Sequence, residues 1–226
     1  MTRSLTSVPA SVVVDVAVER LPHLRALGRR QRRAAETRVR LFRSALQLFA
    51  ERGIHSVTVE DITEAADVGK GTFFNYFQSK EHILGVLAEI QLGKVREAVA
   101  LADSGKRTIY SVLRQLFLRL GDEFARSPDL ARAMVSSFLA SEGVRGLIRR
   151  RMAEGRERAA HVVGVGQKRG EIDLSLKKGK TARQLQQAFL GTLLLWSLEG
   201  EPALEDRLEE SFQHFWRAVA SGEEQK

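Results

Sequence analysis

The stretch TVEDITEAADVGKGTFFNYFQSK, from Thr58 to Lys80, decides how the N-terminal side of this chain folds. Thr58 and Asp61 have capping-box spacing, and Ile62, Ala65 and Ala66 form one apolar stripe, so a helix of about two turns begins here. Asp67-Val68-Gly69 breaks the pattern. Gly69 is expected to supply the backbone angles of a tight turn, with Val68 plugging the space between two helices. Helical spacing resumes from Lys70 to Tyr76. At about 100° per residue, Phe73 and Phe77 fall together on an inward face and leave Gly71, Thr72, Asn75 and Tyr76 outward.

That outward face mixes two small residues, an amide and a phenol, which is what a helix reading a nucleic-acid groove requires. Gly71 and Thr72 permit close approach to a duplex, Asn75 can pair with a base edge, and Tyr76 can reach phosphate. Ser79 is placed to cap a third helix, so that helix's first N–H groups and the Lys80 ammonium would converge where a backbone phosphate sits. The competing reading is a helix pair that merely packs.

Upstream, nine arginines between Arg20 and Arg43 face the single acid Glu36, a local excess equal to the whole chain's formal net charge of +8. Such a block ahead of a helix-turn-helix is positioned to grip phosphates and release counterions, or else is a solvated arm. Glu36 to Arg52 carries Val39, Phe42, Ala45, Leu46 and Phe49 at helical spacing, and Gly53 closes that helix. Residues 1–32 therefore read as a basic, flexible extension, 33–80 as a helix-turn-helix domain, and 81–226 as a helical regulatory and dimerisation domain. Within 1–32, the apolar stretch Val12 to Val18 is interrupted by Asp15 and reads as a loose tail rather than a signal peptide.

The remainder is helical in pattern, with no convincing alternating strand, so the fold class is all-α. A long helix starts at Ser79, another runs from about Lys106 to Arg126, and Ser127-Pro128 ends it and starts the next. Phe117, Phe124, Met134 and Phe138 concentrate adaptable apolar bulk and are candidates to line a ligand cavity, core packing being the alternative. Glu142 to Gly170 is rich in arginine and glycine and is expected to be a weak or bent helix. In the last two helices, Phe189, Leu193 and Trp196, then Leu208, Phe212 and Trp216, are candidates for a four-helix seam with a second copy, or for the chain's own core.

Hydrophobic residues make up 43% of the 226, enough for a core, and there are no cysteines, which removes disulfides, thiol nucleophiles and thiolate metal sites. No apolar run reaches the roughly 20 residues of a membrane span. Gly179-Lys180-Thr181 lacks the glycine of a P-loop at Leu174, and Gly164-Val165-Gly166 lacks the third glycine of a dinucleotide site at Arg169. The five histidines are scattered. No catalytic residue, metal ligand or cofactor is therefore assigned, and an enzyme is disfavoured against a DNA-binding regulator or a helical protein-interaction module.

Over Glu36 to Leu84, and most clearly in LFAERGIHSVTVEDITEAADVGKGTFFNYFQSKEHIL, the sequence resembles the tetracycline-repressor (TetR) family of bacterial regulators. The resemblance implies an Ω-shaped homodimer with about nine helices per chain, a cytoplasmic setting, a double-stranded DNA operator and a small, largely apolar effector that releases it. By matching motif positions, Thr58 and Lys80 would bind phosphate, while Gly69, Lys70, Gly71, Thr72, Phe74, Asn75 and Tyr76 would sit at the groove. Phe74 stands where the family commonly has tyrosine and Tyr76 where it often has histidine, so the operator sequence does not carry over.

Overall fold

The structure, a computed structural model, describes residues 29–125, 128–140 and 142–222. Arg20, Arg25 and the stretch Val12 to Val18 lie outside the described residues, as does the side chain of Phe138. Nine helices follow one another among the described residues: α1 Arg29–Arg52, α2 Val59–Ala65, α3 Lys70–Phe74, α4 Lys80–Asp103, α5 Ile109–Ala125, α6 Pro128–Ala140, α7 Glu142–Lys168, α8 Lys178–Glu199 and α9 Leu204–Val219. The fold is all-α, with one isolated bridge between Ile172 and Ala220. None of these helices is long and apolar enough to cross a membrane.

The chain forms two compact units, residues 1–86 with 123–145, and residues 87–122 with 146–226. In the first, α1 packs on α2 and on α6, and α2 packs on α3. Its buried side chains include Leu41, Phe42, Ala45, Phe49, Ile62, Phe73, Phe77, Leu130 and Met134. The helix-turn-helix thus shares its compact unit with α6, an element the sequence reading had grouped with the regulatory part. Helix α1 also begins at Arg29, inside the segment read as an extension, because Gln31, Ala34 and Ala35 among the arginines favour continuing the helix.

In the second unit, α8 packs on α9, and an aromatic cluster fills the core. Phe117 meets Phe189 edge-on at 5.6 Å and Phe212 at 5.7 Å, and Tyr110 lies edge-on to Trp216 at 5.2 Å. Arg114 and Glu209 join α5 to α9 at 2.8 Å, which holds the Glu209 carboxyl below its ordinary range, and Gln213 donates to both Glu209 and the Tyr110 hydroxyl. Arg169 donates to the carbonyls of Ala102 and Arg107, covering the end of α4.

Helix α7 is continuous for 27 residues despite its glycines. The reason is contact: a Cβ at Gly166 would lie 2.8 Å from Ile172 Cδ1 and 3.0 Å from Ile109 Cγ2. Close packing there offsets the roughly 1 kcal/mol that a mid-helix glycine costs. Gly166→Ala should therefore destabilise by about 1–3 kcal/mol through overpacking. Gly146→Ala, whose new methyl would meet only the end of the Arg150 side chain at 4.0 Å, should be neutral or slightly stabilising; paired thermal melts check the difference.

Candidate nucleic-acid interface

Thr58 caps α2 in extended geometry (φ −95°, ψ 167°). Its Oγ1 accepts the Asp61 N–H at 3.1 Å and donates to Asp61 Oδ2 at 2.6 Å, while the Thr58 N–H donates to the same oxygen at 2.7 Å. The capping box anticipated from spacing is present. These hydrogen bonds, chiefly those from Thr58, hold the Asp61 carboxyl below its ordinary value of 3.8, and Arg52 lies 3.5 Å away. Ile62 and Ala66 are buried, whereas Ala65 faces outward.

The turn is built differently from the expectation. Gly69 has φ −71°, an ordinary value, and serves as N-cap of α3. The left-handed residue is Asp67, at φ 51°. Its N–H bonds to Glu64 O at 3.1 Å and the Val68 N–H bonds to Thr63 O at 3.0 Å, the two closures of a Schellman motif with aspartate in the place usually taken by glycine. Aspartate tolerates this region better than most residues, so the sequence signal for it was weak.

Helix α3 ends at Phe74, and Asn75 is its C-cap rather than an interior residue. Phe73 and Phe77 are 0% and 1% exposed, their rings 5.5 Å apart, and the Arg38 guanidinium stands 5.9 Å over Phe77. Gly69, Lys70, Gly71, Phe74 and Asn75 are exposed, and Thr72 and Tyr76 are half-buried. Phe74 is 51% exposed, braced edge-on against Phe73 at 5.4 Å. A Cβ at Gly69 or Gly71 would meet nothing within 4 Å, so the chain's own packing requires neither glycine.

Two cations of the expected set have partners within the chain. Lys70 ion-pairs with Glu60, which lowers the Glu60 carboxyl's pKa; both side chains are exposed, so the pair adds little to stability. Lys80 donates to Val57 O at 2.7 Å and His55 O at 3.3 Å. It staples the loop before α2 to the start of α4, a role no local motif signals because its partners are 23 and 25 residues away. An ammonium carries three donors, and these two carbonyls take two of them. The Ser79 hydroxyl does not cap α4; instead the Ser79 carbonyl takes the His82 N–H at 3.1 Å, and His82 Nδ1 accepts from the Gln78 N–H at 3.3 Å.

Of the candidate cavity residues, Phe117 belongs to the second unit and Phe124 and Met134 to the first, all three buried. Of the candidate seam residues, Leu193, Trp196, Leu208, Phe212 and Trp216 are buried within the single chain, and Phe189 is half-buried. The large apolar side chains that α8 leaves exposed are Leu194, Leu195 and Leu198, at 42%, 53% and 73%.

A buried two-helix scaffold presenting a short helix with small, amide and aromatic groups outward defines the class: a helix-turn-helix DNA-binding protein. The sequence model described as "Bacterial regulatory proteins, tetR family" matches residues 41–87. Over 56 residues, a quarter of either chain, the sequence is 48% identical to the transcriptional regulator TcmR of Streptomyces glaucescens. Over 205 residues, 85% of this chain and 95% of the other, it is 26% identical to the regulator UidR of Escherichia coli K12. Among solved structures, Thermus thermophilus FadR, a TetR-family transcriptional repressor in complex with lauroyl-CoA, is 30% identical, with 79% of this chain and 92% of that one covered and a TM-score of 0.57. The chain belongs to the TetR family of transcriptional regulators.

The lowered Asp61 pKa gives the cap a defined pH dependence. Its contribution is complete above the ordinary carboxylate range and is lost as pH falls through the lowered folded value. Asp61→Asn should remove that acid-dependent part of the stability of the first unit, seen as a smaller loss of melting temperature between neutral and acid pH than in the wild type.

Proposed function

We propose that this protein is a dimeric, ligand-responsive repressor that binds an operator through α3 and releases it when a small, largely apolar effector occupies the second unit. The observation that carries the DNA reading is the solvent face of α3. Phe74 is more than half exposed on a rigid aromatic brace, and Gly69 and Gly71 have open space where a Cβ would stand. Groups kept small or apolar without any internal reason fit a surface that another molecule approaches closely. Gly71 and Thr72 admit the duplex, Asn75 reads a base edge, Phe74 contacts a thymine methyl, and Thr58, Tyr76, Lys70 and Lys80 meet phosphates.

Two half-sites need two reading helices about 34–36 Å apart, hence a dimer. Leu194, Leu195 and Leu198 supply the exposed apolar face on which a second copy would close, α8 and α9 of each chain forming the four-helix seam. The T. thermophilus relative's complex with lauroyl-CoA supports an effector with a long apolar part. A ligand preferring the released state by about 3 kcal/mol lowers operator affinity over 100-fold. A cytoplasmic setting belongs to the same reading.

Gly71→Ala should leave the melting temperature unchanged or slightly raised and weaken binding to DNA flanking the gene by roughly tenfold or more. Lys70→Ala should weaken all duplexes alike and reduce the salt slope by about 1, while Asn75→Ala should change base preference. Gel shifts and footprints check these outcomes; wild-type protein that protects no segment would return the reading to an interaction module without DNA binding.

Replacing Leu195 and Leu198 together by glutamate should give folded monomers by sedimentation and circular dichroism. Phe212→Ala should instead cost about 3–5 kcal/mol of stability, because that ring is 0% exposed in its own chain.

A further inference from the structure

We propose that Arg156 is the anchor for an anionic head group of the effector, an amphiphile whose apolar part lies against Phe189 and Leu190. The proposal deepens the ligand-responsive reading above and rests on it. Arg156 sits in α7 and is half-buried. Its only polar partner among the described residues is Gln186 of α8, whose Oε1 accepts from Arg156 Nη1 at 2.8 Å. Gln186 is itself fixed, since its Nε2 donates to the Met152 carbonyl one turn back on α7 at 3.1 Å.

A guanidinium has five N–H donors in a planar fork, and a half-buried one ordinarily meets a carboxylate. Here the nearby acid is taken: Glu154 accepts from Arg151 at 3.1 Å through one oxygen and from Arg158 at 2.9 Å through the other, and Arg151 also reaches Glu89 at 3.2 Å. Arg156 is thus oriented by a neutral amide and left with its charge uncompensated. Two parallel N–H groups in that state are matched to a carboxylate or phosphate.

The apolar half of the site starts one turn along α8. Phe189 and Leu190 are the i+3 and i+4 neighbours of Gln186, on the same face, and both are only half-buried although Leu185 and Leu193 beside them are covered. Phe189 continues inward to the buried ring of Phe117. Uncovered aromatic surface beside an uncompensated cation fits one occupant chemistry, an anionic oxygen head on an apolar chain.

Full-length protein titrated with dodecanoate, lauroyl-CoA and dodecanol reports binding through the fluorescence of Trp196 and Trp216, its two tryptophans. The expected result is that dodecanoate, lauroyl-CoA or both bind roughly tenfold or more tightly than dodecanol. Arg156→Met should abolish that preference without weakening dodecanol, and Arg156→Lys should restore part of it. Preference for dodecanoate identifies a free carboxylate as the head, and preference for lauroyl-CoA alone identifies the phosphates. Equal binding of all three by the wild type, or a preference that survives Arg156→Met, overturns the proposal. So does dissociation of the Arg156→Met protein in sedimentation where the wild type stays assembled, which would place the guanidinium against a second copy. The fluorescence titration contains no DNA, so a failed operator gel shift sinks the repressor reading and leaves the assignment of Arg156 to be judged separately.

Discussion

The reading surface depends on two buried phenylalanines. Helix α3 is five residues long, too short to persist on its own hydrogen bonds. Phe73 near its C-terminus and Phe77 just past its end, 0% and 1% exposed, hold it down, and the Arg38 guanidinium over Phe77 ties that anchor to α1. Because these rings fix the orientation, the outward residues need contribute nothing to folding. Gly71, Phe74 and Asn75 are exposed accordingly and take no part in the core.

Apart from the four described glycines at positive φ (Gly53, Gly105, Gly170 and Gly200), two physical situations stand out. Gly121 and Gly166 are enforced by neighbours: a Cβ at Gly121 would stand 2.4 Å from Leu208 Cδ1, and one at Gly166 would strike Ile172 and Ile109. Gly69 and Gly71 are enforced by nothing in the chain. The first kind brings α5 close to α9 and α7 close to the 170–172 turn, setting the spacing of the second unit. Gly179 and Gly191 of α8, and Gly222, are open in the same way, so open space alone marks no contact; at Gly69 and Gly71 it coincides with the exposed side of α3.

Much of the first unit was legible because its determinants are local. The Thr58–Asp61 box, the Phe73–Phe77 pair, the Gly53 terminus at φ 75° and the Pro128 start each involve residues within four positions of one another. What escaped is non-local or energetically ambiguous. The hydrogen bonds from Lys80 to the carbonyls of Val57 and His55 are one such case, because only the fold brings those carbonyls to it. Asp67 carries the turn because aspartate pays little strain in a left-handed position that glycine two residues later was expected to fill. Periodicity in α8 and α9 marked a buried face correctly, yet the period cannot say whether the cover is the same chain or another. Phe212 and Trp216 turned out to be covered at home, while Leu195 and Leu198, which interrupt the stripe, are the ones left exposed.

The ligand-responsive reading proposed above bears on three helices that run through both compact units. Helices α4, α5 and α7 each begin in one unit and end in the other. Helix α6 follows α5 directly and packs on α1, which in turn packs on α2, with α3 next in line. Every member of that series is close-packed: Ala131 and Met134 of α6, Ala45 and Phe49 of α1, and Ile62 of α2 are all buried. Close-packed interiors transmit displacement rather than absorb it. An effector held at Arg156 and Phe189 would contact α7 and α8, with Phe117 passing the contact to α5.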